Sequence, residues 1–135
     1  MQTLSSTELN DHYDQHLWPL FNQVSVDHNT VEFGMTVHPN LSYFEGHFPD
    51  QPVLPGVVQV HWAGELAKQV FNLDHSDWIF KELKKSKFSN VVLPNTQLSL
   101  NIKFKPESGL VSFSYTNSEQ RFSSGQFLFG ESKAT

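Results

Sequence analysis

The residues best suited to chemistry stand in Gly46-His47-Phe48-Pro49-Asp50-Gln51-Pro52-Val53-Leu54-Pro55-Gly56. Prolines 49, 52 and 55 hold φ at about −65° at every third position, which predicts a stiff, extended loop carrying the imidazole of His47. A helix is expected to follow at once. Pro55 suits its first position, where a missing N–H costs nothing, and Gly56 lets another molecule approach the backbone closely. A histidine beside exposed N–H groups at a helix N-terminus suits a carbonyl oxygen that gains negative charge during a reaction. At about 100° per residue, a helix over 55–72 places His61, Glu65, Lys68 and Asn72 on one narrow polar stripe. Ala63, Leu66, Ala67 and Val70 take the opposite side, flanked by Val60, Trp62 and Phe71. The stripe needs water, a partner subunit or a ligand site, and the pattern alone leaves all three open.

The elements around this stretch follow from periodicity. Residues 3–18 suit a short N-terminal helix, with Ser5, Ser6 or Thr7 as N-cap before Glu8 and an end before Pro19. On it, His12 and His16 would stand one turn apart. They suit either a metal clamp lacking an evident third ligand or a solvated face. Leu20, Val24 and Val26 suggest a first strand, Asp27-His28-Asn29 a turn, and Val31, Phe33, Met35 and Val37 a second, alternating strand. Beyond the helix, strands are expected over 78–88, over Leu98 to Phe104, over Val111 to Tyr115 and from Phe122 to Phe129, the last with a bulge at Ser124-Gly125. The tail 131–135 is polar and expected to fray. A hairpin, one long apolar helix and further antiparallel strands make an α+β class, with a curved sheet wrapped around a central helix. One domain over 1–135 is expected.

Composition narrows the function. Twelve Phe among 38% apolar residues argue for a packed sheet or a long apolar pocket rather than disorder. The absence of Cys removes disulfides and thiolate chemistry. The first twenty residues include Glu8, Asp11 and Asp14 and no apolar run, so neither a signal peptide nor a membrane span is readable there, and a cytoplasmic protein is the default expectation. A net charge of −5 argues against non-specific nucleic-acid binding. Yet Lys81, Lys84, Lys85, Lys87, Lys103 and Lys105 supply six of the nine Lys and Arg residues, which suits either a charged strand edge or a docking patch for an acidic partner.

The run His47, Phe48, Pro49, Pro52, Val53, Leu54, Pro55, Gly56 resembles the motif of the 3-hydroxyacyl-acyl-carrier-protein dehydratases, in unbroken register. The continuation through Val57, Val58, Gln59 and Trp62 looks closer to the aryl-polyene branch of that family. A second run, Lys87-Phe88-Ser89-Asn90-Val91-Val92-Leu93-Pro94, resembles the family's entry into its next strand, while residues 1–30 match poorly. The resemblance implies a hot-dog fold, pairing into at least a homodimer with sites at the subunit boundary, and no cofactor or metal. It also implies dehydration of a 3-hydroxyacyl thioester on an acyl carrier protein, which would dock on Lys81, Lys84, Lys85 and Lys87. His47 would be the base at C2 and the Gly56 N–H the donor to the thioester oxygen, with Val57 beside the substrate; Phe44, Phe48 and Trp62 suit either the lining of an acyl tunnel or plain core. The family places an acidic residue fourteen positions after its histidine, and here position 61 is histidine. His61 or, one turn on, Glu65 would supply the acid, unless Glu65 simply pairs with Lys68. Asp50, where the family usually has glycine, is a second departure. A hot-dog thioesterase and a non-catalytic carrier-binding subunit are the alternative functions.

Overall fold

The computed structural model describes residues 5–45, 52–74 and 77–131. Helix α1 (Ser6–His12) starts where capping chemistry predicts: the Ser5 hydroxyl accepts the Glu8 N–H at 3.1 Å and itself donates to the Glu8 carboxylate. It ends well short of Pro19. Tyr13 is extended, and Asp14 accepts the His16 N–H through its side chain and the Leu17 and Trp18 N–H groups through its carbonyl. His16 therefore lies outside the helix, and the one-turn pairing expected for His12 and His16 does not form.

Strands β1 (Leu20–Asp27) and β2 (Thr30–Thr36) form the expected hairpin around His28, at φ 55°. The face of β1 begins differently from expectation, for Leu20 is exposed while Phe21 is buried. An irregularity between Phe21 and Gln23 shifts the phase, so that Phe21, Val24 and Val26 all stand opposite inward residues of β2. A 3-10 turn (Ser42–Phe44) follows. Helix α2 (Gly56–Val70) starts one residue later than expected, with Pro55 as its N-cap. It ends at Val70, short of the expected Asn72, whose φ of 57° turns the chain so that the Leu73 N–H reaches back to the Lys68 carbonyl at 2.8 Å.

The remaining strands are β3 (Trp78–Phe88), β4 (Gln97–Lys105), β5 (Leu110–Thr116) and β6 (Arg121–Glu131). All six pair antiparallel in the order β1-β2-β4-β5-β6-β3, so β1 and β3 are the edges. Alternation on β2, β4 and β5 sends Val31, Phe33, Leu100, Ile102, Val111 and Phe113 into the core. Against that face lie Trp62, Ala63, Leu66, Ala67 and Val70 of α2, all with 0% exposure. This is the hot-dog arrangement, an antiparallel sheet curved around one long helix. The bulge expected at Ser124-Gly125 lies instead across the pairing, where two residues of β3, Lys85 and Ser86, face Gly125 and Lys85 takes φ 53°. Gly125 is needed for another reason: a Cβ there would come within 2.7 Å of the Phe113 ring. The frayed tail expected beyond Glu131 lies outside the described residues. Among the described residues no helix is long and apolar enough to cross a membrane.

Candidate functional site

His47 and Phe48, with Asp50, lie outside the described residues; the structure describes the segment that follows them and the start of α2. Leu54 donates its N–H to the Val92 carbonyl at 2.8 Å, tying the loop after the motif to the segment between β3 and β4. Its own carbonyl accepts from Gln59 Nε2 at 3.3 Å. Gln59 is buried, and its amide oxygen accepts from the Ser123 hydroxyl at 2.6 Å while its backbone carbonyl accepts from Tyr115 at 2.7 Å. The first turn of α2 is thus bonded to β5, β6 and the incoming loop through groups whose burial makes each bond costly to lose. Burial alone pushes the Tyr115 hydroxyl well above the usual tyrosine pKa. The sequence places Gln59 in the continuation of the motif without its bonding role, for which a polar residue in line with Ala63 and Leu66 on the apolar side of a helix is the available signal.

Gly56 opens α2 with no side-chain cap, and among the described residues its N–H and that of Val57 meet no acceptor. Such groups at the positive end of a helix suit a developing oxyanion. Phe88 lies over Gly56 so closely that a Cβ there would sit 2.6 Å from its ring. Only glycine fits under that ring without a shift. Val57, expected beside the substrate, is 77% exposed.

His61 is exposed and packs its ring on Trp18 at 5.6 Å. Glu65 bonds Lys68 at 3.1 Å, the ordinary helix pairing. Trp62 is fully buried, and its indole N–H donates to the Leu17 carbonyl at 2.9 Å. Tyr13 and Trp18, which carried no expected role, stack at 4.0 Å, and Tyr13 donates to Gln69. The segment after α1 therefore covers part of the polar stripe of α2. Burial, then Glu65 and Asp74, push the Tyr13 pKa up to about 12. Below pH 10 both folded and unfolded chains keep this proton; between pH 10 and 12 only the unfolded chain releases it, so stability falls as pH rises through that window. Chemical denaturation at stepped alkaline pH should show a shallower decline in Tyr13→Phe than in wild type. Identical slopes would contradict the raised pKa.

Lys81, Lys84, Lys85 and Lys87 all lie on edge strand β3. Cross-strand register runs from Lys84 through Gln126 and Ser112 to Lys103, which places the outlying lysine of β4 in the same row on the outer face. Ile79, Phe80, Leu83 and Phe88 on β3 are large apolar residues left exposed, as are Val91 and Leu93 just beyond it.

Comparison with known proteins bears on the family and the fold. The ApeI-like family model, described as ApeI dehydratase, matches residues 23–126. The chain is 36% identical over 74 residues to 3-hydroxyacyl-[acyl-carrier-protein] dehydratase FabZ of Novosphingobium aromaticivorans, covering 50% of this chain and 47% of that protein. The chain spans about half the length of the curated relatives it matches. Among solved structures, the dehydratase heterocomplex ApeI:P from Xenorhabdus doucetiae aligns at a TM-score of 0.75 and 27% identity, over 83% of this chain and 97% of that one. An uncharacterized protein from Erwinia carotovora aligns at 0.69 and 29% identity, over 84% and 97%.

Proposed function

This chain belongs to the ApeI-like dehydratase family, and from that membership we propose that it dehydrates a 3-hydroxyacyl thioester on an acyl carrier protein to the trans-2-enoyl thioester, in fatty-acid or aryl-polyene-type lipid synthesis. The observation that carries the reading is the uncapped start of α2 at Gly56, directly after the His47 motif, held in place by the buried Gln59 bonds. In the reaction His47 takes the proton from C2, the Gly56 N–H receives the charge on the thioester oxygen, and an acid protonates the hydroxyl leaving C3. The C2–H and C3–O bonds break, the C2=C3 bond forms and water departs. His61 is the preferred acid, because it is exposed and carries no ion pair among the described residues, whereas Glu65 is engaged by Lys68.

The exposed apolar residues of β3 and an unpaired sheet edge support a second copy lying along β3, which would bring the α2 start of each copy toward the other. Sedimentation of the purified chain should give at least a dimer. The lysines of β3 favour an acidic carrier as the substrate's bearer. Reversing Lys84 and Lys85 to Glu should raise KM for carrier-borne substrate roughly 5-fold or more, at about 1 kcal/mol per exposed charge contact. An unchanged KM would leave these lysines as ordinary surface.

The reading is tested by supplying a 3-hydroxyacyl carrier thioester and following enoyl absorbance. Enoyl formation supports it. Release of free thiol without enoyl would instead assign a thioesterase, and carrier binding without turnover would assign a non-catalytic subunit.

A further inference from the structure

The segment between α1 and β1 is held across the polar stripe of α2 by bonds to three other parts of the chain. The Leu17 carbonyl accepts from the Trp62 indole at 2.9 Å and from the Tyr43 hydroxyl at 3.1 Å. The His16 carbonyl accepts the Ser42 N–H at 2.9 Å, and the Trp18 carbonyl accepts from His38 Nε2 at 3.2 Å. The Trp18 N–H turns back to the Asp14 carbonyl at 2.9 Å. Trp18 is thereby fixed through its backbone on both sides. Its buried ring lies between Tyr13, at 4.0 Å, and Trp62, at 6.2 Å, and packing of that kind leaves little rotamer freedom.

His61 is the opposite case. It is exposed, and among the described residues its ring makes no hydrogen bond and no ion pair. What it meets is Trp18, at 5.6 Å between ring centroids with the planes inclined at 47°. An exposed imidazole on a helix otherwise samples several rotamers, and the indole closes one side of that range. The electron-rich indole also repels a carboxylate and suits a ring that must hold and give up a proton, so this neighbour fits histidine at position 61 better than an acidic residue. Trp18 precedes the residues 23–126 that the family model matches, so membership of the family does not by itself supply the contact.

We propose that Trp18 is a positioning residue for the acid step: its ring holds the His61 imidazole in the rotamer from which a proton reaches the hydroxyl leaving C3. The inference rests on the dehydratase reading given above, with His61 as its acid. Loss of the indole frees the imidazole without removing it, and Trp18 reaches the reaction only through His61, so kcat should fall while KM stays near wild type. Enoyl formation from a 3-hydroxyacyl carrier thioester is compared in wild type, Trp18→Leu, Trp18→Phe, His61→Gln and the double variant Trp18→Leu/His61→Gln. Trp18→Leu should lower kcat roughly 10- to 100-fold with KM within about 2-fold, and Trp18→Phe, which keeps a ring, should recover most of the loss. In the His61→Gln background, Trp18→Leu should cost less than about 2-fold more, because the group it positions is gone. A tryptophan that merely supports the fold would lower the rate equally in both backgrounds, and that additivity overturns the proposal. So does a wild-type kcat in Trp18→Leu or in His61→Gln. NMR of wild type gives a readout that needs no leucine variant to fold: Overhauser contacts between the His61 and Trp18 ring protons and one dominant χ1 rotamer at His61 are expected. A rotamer-averaged His61 overturns the proposal. Wild type that forms no enoyl sinks the dehydratase reading and this inference with it, whereas wild type that turns over with an averaged His61 sinks the inference alone.

Discussion

His47→Ala should lower enoyl formation by roughly 10²- to 10⁴-fold, the range for removing a positioned general base. The expectation comes from the arithmetic of the step. A C2 proton next to a thioester is weakly acidic, so a base and an oxyanion donor must act together, and in the proposed reaction Gly56 would supply the donor at its uncapped helix start. Substituting the base leaves the donor intact, so residual activity above the uncatalysed rate should persist. The companion variants separate the acid candidates. His61→Ala should fall into the same range if His61 protonates the leaving hydroxyl. Glu65→Gln should change the rate by less than about 10-fold, because that carboxylate is already committed to Lys68 on the helix surface. Stopped-flow absorbance of the enoyl product, with carrier-borne substrate at saturation, reads all three. A wild-type rate in His47→Ala would dismiss the base assignment, and a large loss confined to Glu65→Gln would move the acid one turn along α2.

The frame around those residues was legible because its signals are local. Strict alternation exposed β2, β4 and β5, the apolar stripe exposed α2, and the Ser5–Glu8 pair marked the start of α1. What escaped depends on contacts between segments far apart in sequence. The phase of β1 is set by an irregularity against β2, which no reading of Leu20, Val24 and Val26 by themselves could reveal. The same holds for the β3 bulge. Gly125 pointed to the right place for the wrong reason, since it accommodates the Phe113 ring while the extra residue sits on the neighbouring strand. Residues 13–18 fit a helix by sequence yet leave it, because helix propensity is weak beside the packing of half-buried Tyr13 and buried Trp18 against α2. The site is legible to a different degree. The motif marks His47 and Gly56 from sequence, but the bonds that hold Gly56 in register, through Gln59, Ser123 and Tyr115, join residues 56 and 64 positions apart and appear only in the fold.

Trp62→Ala should cost about 3–5 kcal/mol of folding stability, among the largest effects open to a single substitution here. The side chain is wholly enclosed, stacks near Trp18 at 6.2 Å, meets the Tyr43 ring edge-on at 6.4 Å, and gives its N–H to the Leu17 carbonyl. Alanine would leave a cavity where α2, the 3-10 turn and the segment after α1 converge, and only partial collapse is expected. Trp62→Phe separates the ring from its hydrogen bond. The Leu17 carbonyl would still accept from the Tyr43 hydroxyl at 3.1 Å, so no buried acceptor is orphaned and the loss should be nearer 1–2 kcal/mol. Urea unfolding of wild type and both variants gives the comparison, with an unchanged m-value showing that the same transition is being read. The pair also decides between the two roles that a tryptophan beside the motif invites. A core residue loses stability in graded steps while KM for the thioester stays near wild type in Trp62→Phe. A residue in contact with the acyl chain would do the reverse, raising KM at unaltered stability, and that result would mean the ring closes a substrate channel rather than the core.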